Sequence, residues 1–330
     1  MLKLGIIGTG NIAHQFIEAC QLTGAYSLAA VYSRTLEKAQ SFAAPYGEVE
    51  LCTDLEAFSQ SDLDVVYLAS PNSLHFQQAK KLILAGKHLI VEKPAFSNPR
   101  EFQEIIRLAE ESHVLVLEAA RNYHEKNWQP IIEFLVDKVI YGASFHFSQY
   151  SSRMKNLLQG IYDNAFQAKM SGGALVDLGI YQVYAAYKLF GQPKSARYCA
   201  DLLETGVDVA GSGQLIYENF HVNMVVRKNA QSNLPSEIYT NQGTLILNHI
   251  QGLETASFHG LDGSLTNLGL APLGHLMADE AQVFAEILTQ PHQHQDFYQE
   301  LLKTAQAVNQ TLYTMRQDAG IQFEADHYEN

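Results

Sequence analysis

The chain has 330 residues, 47% of them hydrophobic and 17% charged, which is enough apolar material for about two domains and too little charge for a disordered protein. Its formal net charge is −13, from 22 Lys+Arg against 35 Asp+Glu, with no run of Lys or Arg, so neither nucleic acid nor an anionic membrane is expected as a partner. The amino terminus shows no signal-peptide pattern and no stretch approaches the ~18 apolar residues of a membrane helix, so a cytoplasmic location is expected.

From the start to about residue 120, short apolar runs alternate with amphipathic stretches. Strands are predicted at Leu2–Ile7, Leu28–Tyr32, Val49–Leu51, Val65–Ala69, His88–Val91 and Val114–Leu117. Helices are predicted at 11–22, 35–43, 73–85 and 99–111, the last opening on Asn98-Pro99 with proline at its first position. Continuous apolar strands separated by helices imply a doubly wound parallel α/β sheet.

The pattern changes after that. A helix over Asn127–Val136 and a strand over Ala143–Tyr150 precede a glycine-led helix at 172–190. Strands then follow one another at 196–203, 207–217, 219–227, 236–241 and 243–249, with a hairpin turn at Asn241-Gln242-Gly243. Helices at 276–289 and 295–317 close the chain. The expected architecture is an α/β Rossmann domain over 1–120, followed by an α+β domain over 121–330 built on an open, largely antiparallel or mixed sheet. Three dispersed cysteines, Cys20, Cys52 and Cys199, are expected to be buried or semi-buried thiols. No His, Cys or carboxylate cluster has metal-ligand spacing, and His292 and His294 bracket a single residue in a loop.

Four segments carry chemistry. Gly8-Thr9-Gly10-Asn11-Ile12-Ala13 stands between the first strand and the first helix as a GxGxxA turn. Gly8 permits the tight turn, Gly10 lets a pyrophosphate approach, Ala13 keeps helix and sheet close, and the helix start offers N–H groups to phosphate. The second strand ends in Ser33-Arg34, where an acidic residue would select NAD by binding the ribose hydroxyls. A guanidinium pairs instead with a 2′-phosphate, so NADP is favoured over NAD. Glu92-Lys93-Pro94 ends the His88–Val91 strand, and the carboxyl ends of such strands line the ligand crevice. Lys93 there is placed to donate a hydrogen bond or shuttle a proton, and Pro94 fixes the turn. In Gly172-Gly173-Ala174-Leu175-Val176-Asp177-Leu178-Gly179-Ile180-Tyr181, Asp177 and Tyr181 are four apart and would share a helix face. A phenol can exchange a proton with a hydroxyl, and its pKa falls beside a cation.

Taken in order, GTGNIA, SPNSLH at 70–75, VEKP at 91–94, GGALVDLGIY at 172–181 and the late SEIY–GTL pair at 236–245 resemble the glucose–fructose oxidoreductase / inositol dehydrogenase / MocA (Gfo/Idh/MocA) family, across nearly the whole chain. The resemblance implies hydride transfer between a nicotinamide and a carbinol or carbonyl carbon of a sugar, polyol or dihydrodiol. It implies catalytic roles for Lys93, Asp177 and Tyr181, and cofactor contacts from Ser70, Pro71, Asn72, His75 and Glu92 as well as Gly8, Thr9, Gly10, Asn11, Ile12, Ser33 and Arg34. It also implies self-association through the C-terminal sheet. Many members carry histidine where this chain has Tyr181; the tyrosine is similar to the dihydrodiol dehydrogenase-like branch. Arg121, Asn122, Tyr123 and His124, after the last Rossmann strand, are candidate substrate contacts. Two other readings stand beside this one: a dinucleotide-dependent sensor without turnover, and a reductase of an imine or C=C bond.

Overall fold

A computed structural model describes residues 1–327. In chain order the elements are β1 (Leu2–Ile7), α1 (Asn11–Thr23), β2 (Tyr26–Tyr32), α2 (Leu36–Ala43), β3 (Glu50–Cys52), α3 (Leu55–Gln60), β4 (Val65–Leu68), α4 (Asn72–Leu84), β5 (His88–Glu92), α5 (Pro99–Glu111) and β6 (Val116–Ala119). There follow α6 (Trp128–Leu135), β7 (Ile140–Ser148), α7 (Met154–Leu157), a π-helical segment at Leu175–Gly179 and α8 (Ile180–Phe190). The strands β8 (Ser195–Leu202), β9 (Asp208–Ile216), β10 (His221–Arg227), β11 (Ser236–Thr240), β12 (Gly243–Leu247), β13 (Ala256–Gly260) and β14 (Leu265–Asn267) lead to α9 (Ala278–Thr289) and α10 (Gln295–Asp318).

Among the described residues the strands form two sheets. The first is six-stranded in the order β3-β2-β1-β4-β5-β6, parallel throughout, which is the Rossmann order. Its central strands are buried on both faces: Val65, Val66, Tyr67 and Leu68 of β4 are wholly inaccessible. That is why β4 reads as a continuous apolar run. The second sheet is eight-stranded in the order β14-β13-β12-β11-β7-β10-β9-β8. It is mixed, because β10 pairs parallel with β7 while its other neighbours run antiparallel. The hairpin at Asn241-Gln242 joins β11 to β12, and the Thr240 hydroxyl closes it by donating to the Gly243 carbonyl at 2.9 Å.

The chain divides into two compact units, Met1–Ala120 with His275–Gln306, and Arg121–Gly274 with the residues from Ala307 onward. The sequence reading gives everything after residue 120 to the second domain; 275–306 instead belongs with the first. Burial explains it. Tyr26 donates its hydroxyl to the Ala281 carbonyl at 2.9 Å, and the Tyr298 hydroxyl accepts the Val116 N–H at 3.3 Å. These returning residues dock on the starts of β2 and β6 and on α1, and no local pattern records that docking. Helix α3 and strands β13 and β14 are also absent from the sequence reading. The first spans only Leu55–Gln60 and is started by Asp54, whose side chain accepts the Ala57 N–H. The last strand is fully exposed and short, so neither element shows a hydrophobic period.

Candidate functional site

In the first unit, parallel order brings the carboxyl ends of β2, β1, β4 and β5 side by side, and each end carries one of the segments singled out from sequence. The turn after β1 is shaped by Gly8. Its φ is +106°, and a Cβ there would stand 2.4 Å from the Ala69 carbonyl oxygen, so the backbone itself demands glycine. Gly10 differs: its φ of −91° is open to any residue, and a Cβ added there meets nothing within 4 Å. It caps α1 with no side-chain hydrogen bond. The first-turn amides of the helix are therefore not covered by a capping side chain.

Next to it, the Ala69 N–H donates to the Ile7 carbonyl at 2.7 Å, so Ser70-Pro71-Asn72 lies against the glycine turn. The Ser70 hydroxyl donates to Gln78 Oε1 at 2.6 Å, and α4 begins at Asn72. At the end of β2, Ser33 is buried and donates its N–H to the Cys52 carbonyl at 3.1 Å, while Arg34 is exposed. At the end of β5, the Glu92 carboxylate accepts a hydrogen bond from the Tyr67 hydroxyl and another from the Lys93 N–H at 3.2 Å. The Lys93–Pro94 bond is cis. Burial pushes the Tyr67 phenol well above its ordinary range, so it stays a donor to Glu92.

His75 is a correction. The resemblance makes it a cofactor contact, but its ring is wholly buried. Nδ1 sits 3.1 Å from the Ala95 carbonyl oxygen and Nε2 2.8 Å from that of Ser70. Burial lowers its pKa. The ring ties the β4 turn to the β5 turn and has no face left for a ligand.

In the second unit, the segment leading into α8 is gripped by its neighbours. Ser171 takes a left-handed φ of 53° and Gly173 one of 124°. A Cβ on Gly173 would meet Asp208 Oδ1 at 2.3 Å, and one on Gly172 would meet the Ala165 backbone at 2.7 Å. The Asp208 carboxylate, on β9 and 1% exposed, accepts the Leu175 N–H at 2.8 Å and the Tyr198 hydroxyl at 2.6 Å. Asp208 thus holds the helix start, a role with no signature in sequence because its partners are 33 and 10 residues away.

Asp177 and Tyr181 do not lie on one regular α-helical face. Leu175–Gly179 is a π turn, and α8 starts at Ile180, so the four-residue spacing crosses a π-to-α junction. Single π turns occur often at functional sites. The Asp177 carboxylate pairs with Lys228, whose side chain is 5% exposed against 42% for Asp177. Tyr181 is buried to 8%. The Arg121 guanidinium lies over its ring at 5.3 Å, and Phe147 meets it edge-on at 5.5 Å.

The four residues from Arg121 to His124 differ in their contacts. Asn122 is scaffold: its side-chain amide donates to the carbonyls of Tyr181 and Ile250 at 3.0 and 3.1 Å, and its own carbonyl accepts the Trp128 indole N–H. Tyr123 is buried under Lys188, whose ammonium lies 4.3 Å from the ring centre. Burial, with Lys188 adding to it, pushes His124 down to about 3. The Arg121 guanidinium is the group placed over the Tyr181 ring. Cys20 and Cys52 are buried, whereas Cys199 is exposed on β8, contrary to expectation, because the outward face of that edge strand is uncovered. Among the described residues no helix is long and apolar enough to cross a membrane, and no three His, Cys or acidic residues gather as for a metal.

Comparison with known proteins agrees with this fold. Residues 2–119 match the family model described as oxidoreductase family, NAD-binding Rossmann fold, and residues 140–246 match the GFO/IDH/MocA C-terminal domain. An uncharacterized oxidoreductase, YgjR of Escherichia coli, is 36% identical over 87% of this chain and 88% of its own. The scyllo-inositol 2-dehydrogenase (NADP(+)) IolU of Bacillus subtilis is 33% identical over 99% of both chains. Among solved structures, a 3-ketoreductase from Actinomadura kijaniata in complex with NADP and TDP-benzene superposes with a TM-score of 0.82 at 21% identity. The match covers 95% of this chain and 98% of that one, and it shows a shared fold.

Proposed function

The chain belongs to the Gfo/Idh/MocA oxidoreductase family, and from that premise we propose that it is an NADP-dependent dehydrogenase acting on the carbinol carbon of a cyclic polyol. The observation that carries the cofactor half is Gly10. A Cβ placed there meets no atom of the chain within 4 Å, which leaves room for a ligand beside uncapped helix amides, the chemistry of a pyrophosphate site. The residues present fit the group. Thr9, Gly10, Asn11 and Ile12 would hold the pyrophosphate, Arg34 a 2′-phosphate beside Ser33, and Ser70, Pro71, Asn72 and Glu92 the neighbouring strand ends. Bound nicotinamide supplies or accepts the hydride.

The chain's own residues handle the proton and the substrate. Tyr181 takes the hydroxyl proton as the alcohol is oxidised and returns it in reduction. The Arg121 guanidinium lies over its ring at 5.3 Å. Lys93 donates to the developing carbonyl oxygen, and Asp177 accepts from a neighbouring substrate hydroxyl. The polyol class is favoured by the full-length likeness to IolU, and by a carboxylate and a phenol supplied from one helix start. The face of the eight-stranded sheet that carries Arg197, Gln214 and Asn223 in register across β8, β9 and β10 is polar and exposed, and it is proposed for self-association.

The test is the Tyr181→Phe variant, assayed with NADP and scyllo-inositol. It should lower kcat by ~10²-fold or more while NADPH fluorescence titration stays unchanged. A near-normal kcat would remove the phenol from the mechanism and point to reduction of an imine or C=C bond, where no alkoxide forms.

A further inference from the structure

Lys228 is the residue of the second unit whose position is hardest to explain as structure alone. It follows β10 directly and is 4% exposed. Its backbone is pinned on both sides, since its N–H donates to the Val209 carbonyl at 2.8 Å and its carbonyl accepts the Ser151 N–H at 2.8 Å. The stem passes the Phe166 ring, with the ammonium 5.6 Å from the centroid. The ammonium then pairs with Asp177 Oδ2. Burying an ammonium costs several kcal/mol unless it is paired, and a pair of apolar residues commonly serves stability as well or better. The pair here is asymmetric. The cation is enclosed, and the anion faces outward with 42% of its side chain exposed.

We propose that Lys228 is a positioning residue for the substrate carboxylate Asp177, fixing one of its oxygens and holding it ionised as an acceptor for substrate hydroxyls. The proposal deepens the polyol reading and rests on the substrate role given to Asp177. A carboxylate on a π turn has no rigid α-helical frame around it. A buried, backbone-pinned ammonium supplies the missing constraint from the residue after β10, and it favours the charged form over the protonated one. The pair carries no net charge while its carboxylate still accepts hydrogen bonds, which suits an uncharged polyol. The other ionisable groups packed around the helix start are Asp208 on β9, engaged by Tyr198 of β8 and by the Leu175 N–H, and Tyr181 under Arg121. Farther out, Arg227 pairs with Asp201 at the surface.

The experiment uses Lys228→Met and Lys228→Arg in the full chain, with two readouts. The first is a 13C NMR titration of carboxyl-labelled aspartate, the Asp177 signal being assigned by its loss in Asp177→Asn. The second is the pH profile of NADP-dependent scyllo-inositol oxidation. In Lys228→Met, Asp177 should titrate at higher pH than in the unaltered protein. The acid limb of kcat/KM should move the same way, and KM should rise about ten-fold with kcat changed less than about three-fold. Lys228→Arg, which keeps the charge, should restore most of each. An unmoved Asp177 titration in folded Lys228→Met overturns the proposal whatever the activity does. A moved titration with unmoved KM and acid limb overturns the substrate role of Asp177, and the positioning role with it. If the unaltered protein is inert toward scyllo-inositol, the polyol reading fails and the NMR arm alone decides whether Lys228 holds the carboxylate ionised. Should Lys228→Met not fold, the double variant Lys228→Met/Asp177→Asn is compared with Asp177→Asn. Equal KM values support action through Asp177, and a further rise overturns it.

Discussion

The turn after β1 and the segment before α8 both open on paired glycines, yet Gly10 of the first and Gly172-Gly173 of the second do opposite work. Around Gly172 and Gly173 the chain fills the space itself: the Ala165 backbone and the Asp208 carboxylate stand where a Cβ would go. Around Gly10 it leaves the space open. The first arrangement packs a helix start against its own sheet, and side chains brought from distant residues, Asp208 and Lys228, then set what that start can do. The second leaves backbone amides at a helix end for something from outside. A glycine-rich string is therefore informative about ligands only when its surroundings are known.

The largest effect that could break this contrast comes from Gly10. Gly10→Val should weaken NADPH binding by about 100-fold or more while Tm stays within about 2 °C, because a Cβ there meets no atom of the chain within 4 Å. The matched Gly8→Ala should instead lower Tm by about 5 °C, since its Cβ collides with the Ala69 carbonyl oxygen. Differential scanning fluorimetry beside fluorescence titration separates the two, and equal behaviour would erase the distinction. Arg34→Ala comes next. It should raise the Kd for NADPH by about ten-fold and leave that for NADH unchanged; a parallel loss for both would withdraw the 2′-phosphate role.

The smallest effect is on stability. His124 titrates near 3 in the folded chain against its ordinary 6.5, so below about 6.5 the unfolded chain binds a proton that the folded chain refuses. Its contribution is fully present above that pH and is lost progressively as pH falls toward 3. His75 and His88 are shifted the same way by burial. The urea midpoint should fall between pH 7.5 and 5, and His124→Gln should flatten part of that slope. An unchanged slope would mean His124 is not buried as described.

Much of the fold was legible in residue order. Continuous apolar runs alternating with helices announce the parallel sheet, and Asn98-Pro99 marks the start of α5, where the Asn98 side chain accepts the Glu101 N–H at 3.0 Å. Such a cap is worth about 1 kcal/mol and depends only on neighbours in the chain. The positions of the glycine turn, Ser33-Arg34, Lys93-Pro94 and Asp177/Tyr181 at strand ends and a helix start were legible for the same reason, since each is a short local motif.

Other features were decided by tertiary structure. His75 became a buried bridge between the Ser70 and Ala95 carbonyls, Asn122 became scaffold, the Asp177–Tyr181 spacing crossed a π turn, and 275–306 joined the first unit. Asp208 and Lys228 gained their places beside the helix start from positions some 30 and 50 residues further along. Strand and helix periods, caps and turns are local, so they are written in consecutive residues. Which carboxylate a buried ammonium meets depends on how strands are ordered in a sheet, and that order is set by burial of the whole apolar surface together.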